Sequence, residues 1–146
     1  MKTTNALLIA SALLTLSATA MAQDASRPWK DGPVVEVTTV RVKPGRFDDY
    51  MKFLGGSYKK MMDAQVKAGL VTTYRIFAVS PRSPQEPNVI LTVTYPNMAT
   101  LDKTTEFDAI ASSVAGPLDA QDKAYAERGP MREIIGSTLM REVILK

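Results

Sequence analysis

The chain has no cysteine, no histidine and a single tryptophan in its 146 residues. Without cysteine there is no disulfide, no thiolate nucleophile and no thiolate metal site, so stability has to come from a packed core. Without histidine there is no imidazole base, no Ser-His relay, no His-ligated haem and no ordinary His-containing zinc site. Any catalysis would rest on carboxylates, lysine, tyrosine or arginine. An excess of one charge is also missing: 18 basic and 15 acidic groups leave +3. The basic residues are scattered, not gathered into a stripe, which argues against binding a phosphate backbone and leaves nucleic acid off the list of partners. No cofactor and no metal is expected.

Only one long apolar run is present, Ala6 to Leu16, and it is well short of the roughly 20 residues of a spanning helix. Lys2 precedes it and Ala20, Met21 and Ala22 follow as an A-x-A site, so residues 1–22 read as a secretory signal cleaved before Gln23. No cysteine stands at that point to carry a lipid. The expected location is periplasmic or secreted, with no membrane anchor after cleavage. Taking 22 residues from 146 leaves 124, and losing Lys2 leaves a net charge of +2. That is the size of one domain.

Residues 23–33, QDASRPWKDGP, mix small, charged and turn residues without periodicity and read as a tail. Trp29 within it suits docking on its own domain or packing across a partner subunit. Residues 34–146 then form a single domain. Val34 to Val42 is a strand rich in Val and Thr, with Val35, Val37, Thr39 and Arg41 on one face and Val34, Glu36, Thr38, Val40 and Val42 on the other. Neither face is cleanly polar, so both are expected to be covered. Lys43, Pro44 and Gly45 end it.

From Arg46 the spacing becomes helical. Phe47, Tyr50, Met51, Leu54, Tyr58, Met61, Met62, Gln65 and Val66 make one mostly apolar stripe facing the sheet. Asp48 and Asp49 look like an acidic pair, but neighbours on a helix point about 100° apart, and their place in the first turn suits the helix dipole. Gly55 and Gly56 in mid-helix each cost about 0.5–1 kcal/mol relative to Ala and call for a close backbone approach or a kink. Gly69 closes the helix. Leu70 to Val79 is the second strand, and Ser80 to Asn88, with three prolines in nine residues, is a loop that borders a pocket, a subunit contact or only solvent. Val89 to Tyr95 is the third strand, stopped by Pro96. Asn97 offers a helix N-cap before a segment carrying Leu101, Phe107, Ile110 and Val114. Gly116 and Pro117 break it, Leu118 to Arg128 resumes as a polar helix, Met131 to Ile135 reads as one more turn, and Ser137 to Leu145 is the last strand.

The resulting order, β-α-β-β-α-β, is the ferredoxin-like split unit, an α+β fold. Right-handed crossovers give a four-stranded antiparallel sheet with the first and third strands central and the helices on one face. Arg75, Phe77, Ile90, Thr92 and Thr94 are then left on the other face, mixing apolar with polar groups. A second copy is the simplest cover for such a surface, so a homodimer with two sheets face to face is expected.

Val40 to Tyr50, VRVKPGRFDDY, with the amphipathic helix after it, resembles the dimeric α/β-barrel superfamily, in particular its NIPSNAP-like and antibiotic-biosynthesis-monooxygenase-like members. In those families a strand ending in a Lys-Pro-Gly turn leads into a Phe- or Leu-bearing helix, as Lys43, Pro44, Gly45, Phe47 and Tyr50 do here. The resemblance implies the dimeric barrel and a range of activities: monooxygenase, muconolactone isomerase, haem degradation and haem-dependent peroxidase. The usual haem-ligating His has no counterpart, which disfavours the haem branches, and no catalytic residue is carried over.

Three functions follow as expectations. The first is a dimeric module binding a small, partly apolar molecule between sheet and helices, with Glu36, Tyr74, Arg75, Thr92 and Tyr95 as candidate ligand contacts, since strand-borne polar and aromatic groups beside an apolar cavity fix orientation. The bland alternative makes Glu36 and Arg75 structural, paired with Arg141, Glu142 or solvent. The second is a cofactor-independent monooxygenase or isomerase, by analogy, in which a buried Glu36 is the base and Tyr74 or Tyr95 with Arg75 stabilises an oxyanion. The third is a structural or interaction dimer whose interior holds only packed side chains.

Overall fold

The computed structural model describes residues 27–146. The expected signal segment, its cleavage point and the first residues of the expected tail lie outside them. Among the described residues no helix is long and apolar enough to cross a membrane, and no group of three or more acidic side chains is placed to hold a metal ion.

The elements run β1 (Trp29–Val42), α1 (Phe47–Phe53), a π-helical segment (Leu54–Tyr58), α2 (Lys59–Lys67), β2 (Thr73–Ala78), β3 (Val89–Tyr95), a 3₁₀ turn (Met98–Asp102), α3 (Thr104–Ala115), α4 (Leu118–Arg128) and β4 (Arg132–Leu145). The four strands form one antiparallel sheet in the order β2-β3-β1-β4. This is the ferredoxin-like α+β fold, with β1 and β3 central.

The turn between β1 and α1 has a direct physical origin. Pro44 fixes φ at the second position, Gly45 supplies φ of +73° at the third, and the Arg46 N–H donates to the Lys43 carbonyl at 3.0 Å, the pattern of a type II turn. Arg46 then pairs with Asp49 at 3.0 Å, so the acidic pair belongs to the helix start. The rod from Phe47 to Lys67 is continuous, and Gly55 and Gly56 fall inside its π-helical segment. A Cβ at either glycine would meet nothing within 4 Å, so the expected close approach is absent and local widening of the helix takes its place. At the far end Gly69 N–H donates to Val66 and Leu70 N–H to Gln65, each at 3.0 Å, a Schellman closure.

Of the expected stripe, Tyr50, Leu54, Met62 and Gln65 are buried, while Phe47 and Val66 stay exposed at its two ends. Tyr50 and Leu54 pack with Val40, Val42, Val89 and Leu91 in one cluster, and Val34, Val71 and Tyr95 form a second beside Phe107. The helices therefore cover the face of β1 that carries Val34, Glu36 and Val40, and the face of β3 that carries Val89, Leu91 and Tyr95. Asn97 caps the 3₁₀ turn through Thr100 N–H at 3.1 Å, a turn earlier than a cap on α3 itself.

Three boundaries differ from the sequence reading. β1 starts at Trp29, inside the expected tail, because Trp29, Lys30 and Asp31 pair with Leu145, Ile144 and Val143. The breakers Gly32 and Pro33 sit in a register shift there, and a Cβ on Gly32 would lie 2.9 Å from the Glu142 Cβ. Trp29 thus belongs to its own domain's ladder. At the other end, Arg132 to Ile134 are strand, not a helical turn: they pair with Val42, Arg41 and Val40, and Arg41 forms an ion pair with Glu133. Ile135 is the extra residue at the second register shift, which hides the alternation from the sequence. Finally, β2 begins at Thr73, since Leu70 and Val71 are buried in the helix closure before it.

Candidate functional site

The five sequence candidates divide between the two faces of the sheet. Glu36 and Tyr95 lie under the helices, and the Tyr95 hydroxyl donates to Glu36 Oε2 at 3.0 Å while the Ser137 hydroxyl donates to Oε1 at 3.1 Å. Tyr74 is on the same face at the edge, its hydroxyl donating to Asp63 at 2.8 Å. Arg75 and Thr92 are cross-strand partners on the opposite face. Arg75 is exposed on the edge strand β2 and makes no ion pair among the described residues. Glu36 pairs with neither Arg141 nor Arg75, for Arg141 is held by Asp31 at 2.9 Å. No single site can include all five.

What the fold assembles is a cleft of about 580 Å³ between the Phe47–Lys67 rod and the α3–α4 pair. Its apolar wall is built from Phe53, Met61, Val114, Ala124 and Met131. Six polar or charged residues break that wall: Ser57, Tyr58, Lys60, Gln121, Glu127 and Arg128. The Tyr58 hydroxyl and the Arg128 Nε are both buried, and neither has a hydrogen-bond partner among the described residues. Gln121, also on the wall, is already engaged through Nε2 with the Gly116 carbonyl at 2.9 Å. Gly116, with φ of +86°, and Pro117 separate α3 from α4 and so make the bend that opens the cleft.

Tyr58 closes the π-helical segment and stands edge-on to Tyr74, ring centroids 6.0 Å apart. Its phenol is pushed up to about 12, first by burial and then by the neighbouring Tyr50, Tyr74 and Glu36. Tyr95 is raised as well, by burial, by the Glu36 charge and by its hydrogen bond to that carboxylate. Both phenols therefore stay protonated donors at neutral pH. The Glu36–Tyr95 pair lines neither cleft; it forms a polar layer on the sheet within electrostatic reach of Tyr58.

A second cleft of about 450 Å³ lies between the start of β1 and the 3₁₀ turn, near Lys30, Pro96, Met98 and Ile144. Its Asp31 and Arg141 bond to each other and Asn97 caps its own turn, so those directional groups are taken up. The loop from Ser80 to Asn88 borders neither cleft. It is strapped to β1 by the Asn88 side chain, which accepts from Val42 N–H at 2.8 Å and donates to the Val42 carbonyl at 3.2 Å.

Sequence reasoning missed the two groups of the larger cleft that are buried without a partner among the described residues, Tyr58 and Arg128. Tyr58 is one aromatic in an apolar stripe and reads as core; Arg128 is one charge on a polar helix and reads as solvated. Only the glycine pair just before Tyr58 hinted that the helix departs from regularity there.

No protein-family model matches the sequence, and no curated protein matches it at a significant level. Solved structures of similar fold include HapK from Hahella chejuensis, 12% identical with a TM-score of 0.49 over 75% of this chain and 91% of that one. A dimeric ferredoxin-like protein from an uncultured marine organism is 10% identical, TM-score 0.49, covering 80% and 90%. Protein SO0527 from Shewanella oneidensis is 17% identical, TM-score 0.47, covering 80% and 98%.

Proposed function

We propose that this is an exported, homodimeric binding protein that takes a small, partly apolar molecule into the cleft between the Phe47–Lys67 rod and α4. The observation that carries this reading is the Tyr58 hydroxyl, buried without a hydrogen-bond partner among the described residues, on a wall that mixes apolar with polar side chains. Leaving such a group unmet costs about 1–3 kcal/mol, and a ligand acceptor that shifts the side chains covering it removes the penalty. A few convergent polar groups in an apolar concavity are what small-molecule sites consist of.

The homodimer rests on the open face of the sheet. Phe77 and Met140 are 45% and 48% exposed there, beside the half-buried Val35, Val37 and Ile90. A second copy laid face to face would cover them. On this reading Arg75 and Thr92 belong to the subunit contact, not to the ligand site. Export to the periplasm or outside the cell rests on the signal-like first 22 residues. The alternative of a monooxygenase or isomerase with Glu36 as base draws no support from the geometry, since two hydroxyls already donate to that carboxylate and it lines neither cleft.

Native mass spectrometry of the purified protein tests the reading. The expected spectrum is a dimer carrying a small-molecule adduct that denaturation releases, or one that takes up added apolar compounds. A dimer that neither retains nor acquires any small molecule would favour a purely structural role, and a monomer would remove the architecture of the assembly.

A further inference from the structure

Two guanidinium groups remain without an assigned role: Arg128 on the cleft wall, and Arg132, which stacks on Tyr50 and is near enough to act on Arg128. The Nε atoms of Arg128 and Arg132 are both buried with no hydrogen-bond partner, and neither arginine forms an ion pair among the described residues. What they touch are ring faces. Arg128 lies 5.0 Å from the Phe53 centroid and 5.2 Å from that of Tyr125, and Arg132 lies 5.8 Å from Tyr50. Rings fix a guanidinium plane but offer no lone pair to its N–H donors.

The two charges also act on each other. Burial, and then the positive charge of Arg132, lower the pKa of Arg128. Both arginines act on the buried Tyr50 phenol, countering part of the upward push from burial. Two half-buried like charges held by rings alone are an unbalanced arrangement, and an anion placed between them relieves it. Glu127 reaches the cleft wall but pairs with neither arginine. Arg128 and Lys60 are on the wall together with Tyr58, whose hydroxyl has no partner among the described residues, so positive charge and a hydrogen-bond donor line one concavity.

We infer that the molecule bound in this cleft is a small apolar carboxylate. Its carboxylate sits on the Arg128 guanidinium, with Arg132 supplying a second positive charge and Tyr58 Oη donating a hydrogen bond. Its hydrocarbon body lies along Phe53, Met61 and Val114. A planar guanidinium pre-oriented by aromatic faces matches the planar fork of a carboxylate better than an ammonium would. The inference rests on the reading of this cleft as a small-molecule site and adds the sign of the ligand's charge.

Isothermal titration of the full dimeric protein with octanoate, octan-1-ol and octylamine separates the two claims. The expected result is that octanoate binds about 10- to 100-fold tighter than octan-1-ol, the range of a charged hydrogen bond, with octylamine weakest. In Arg128→Met the preference for octanoate should collapse while octan-1-ol binding stays; the comparison within the wild type needs no variant to fold. Equal binding of octanoate and octan-1-ol, or an undiminished preference in Arg128→Met, would overturn the carboxylate inference and leave the cleft intact. Binding of none of the three would remove the cleft reading together with it.

Discussion

Replacing Tyr58 by Phe should make the ligand-free protein more stable, although a tyrosine usually loses stability with its hydroxyl. The reason is local. The Tyr58 Oη is buried and has no partner among the described residues, so its desolvation is uncompensated; an unmet group of this kind costs about 1–3 kcal/mol. The edge-on contact with Tyr74 at 6.0 Å involves the ring and survives in Phe. A gain of about 1 kcal/mol is expected, which raises Tm by about 4 °C for a domain of this size. Tyr95→Phe is the internal control and should move the other way. It removes the donor at 3.0 Å from Glu36 Oε2, and a hydrogen bond to a charged group is worth about 1.5–3 kcal/mol, so Tm should fall by about 8 °C. Urea unfolding of protein refolded free of ligand, followed through Trp29, reads both variants. A Tyr58→Phe protein that is less stable than the wild type would show that the hydroxyl is hydrogen-bonded in the native state, and the reasoning about the cleft would fail with it.

Three further outcomes are expected. The Tyr58 phenol is raised from 10.0 to about 12 in the folded chain; below pH 10 both states are neutral and its contribution is complete, whereas above it the unfolded chain ionises first, so stability should fall as pH climbs through 12, less steeply in Tyr58→Phe, as urea midpoints across that window would read. Gly55→Ala should raise stability by about 0.5–1 kcal/mol, because a Cβ there meets nothing within 4 Å and the helix loses a flexible residue; a loss on the same scale in urea unfolding would mean that the π-helical segment requires glycine. Phe77→Glu places a charge on the open face of the sheet and should give monomers in analytical ultracentrifugation; an unchanged dimer would move the subunit contact elsewhere.

The fold was legible where local chemistry and tertiary pairing agree. β3 runs from Val89 to Tyr95 as its alternation and Pro96 suggest, and the Lys43-Pro44-Gly45 turn is where its residues demand. The strand ends were less legible because each conceals a bulge. Gly32 and Pro33 look like the end of a tail yet sit inside β1, and the extra Ile135 disguises the start of β4 behind Gly129 and Pro130. The site was the least legible part. Alternation separates Glu36 and Tyr95 from Arg75 and Thr92, so a candidate list drawn from both faces could not converge. Tyr58 and Arg128 are 70 residues apart in number and come to line one cleft only through the docking of α4, which no periodicity announces.

A crystal structure of the protein grown with octanoate tests most directly whether this cleft is a binding site. The expected result is electron density for the molecule between the Phe47–Lys67 rod and α4, with an acceptor oxygen within about 3.2 Å of Tyr58 Oη. A cleft closed by its own side chains, with Tyr58 Oη bonded to a protein atom and the molecule absent or lodged elsewhere, would contradict it.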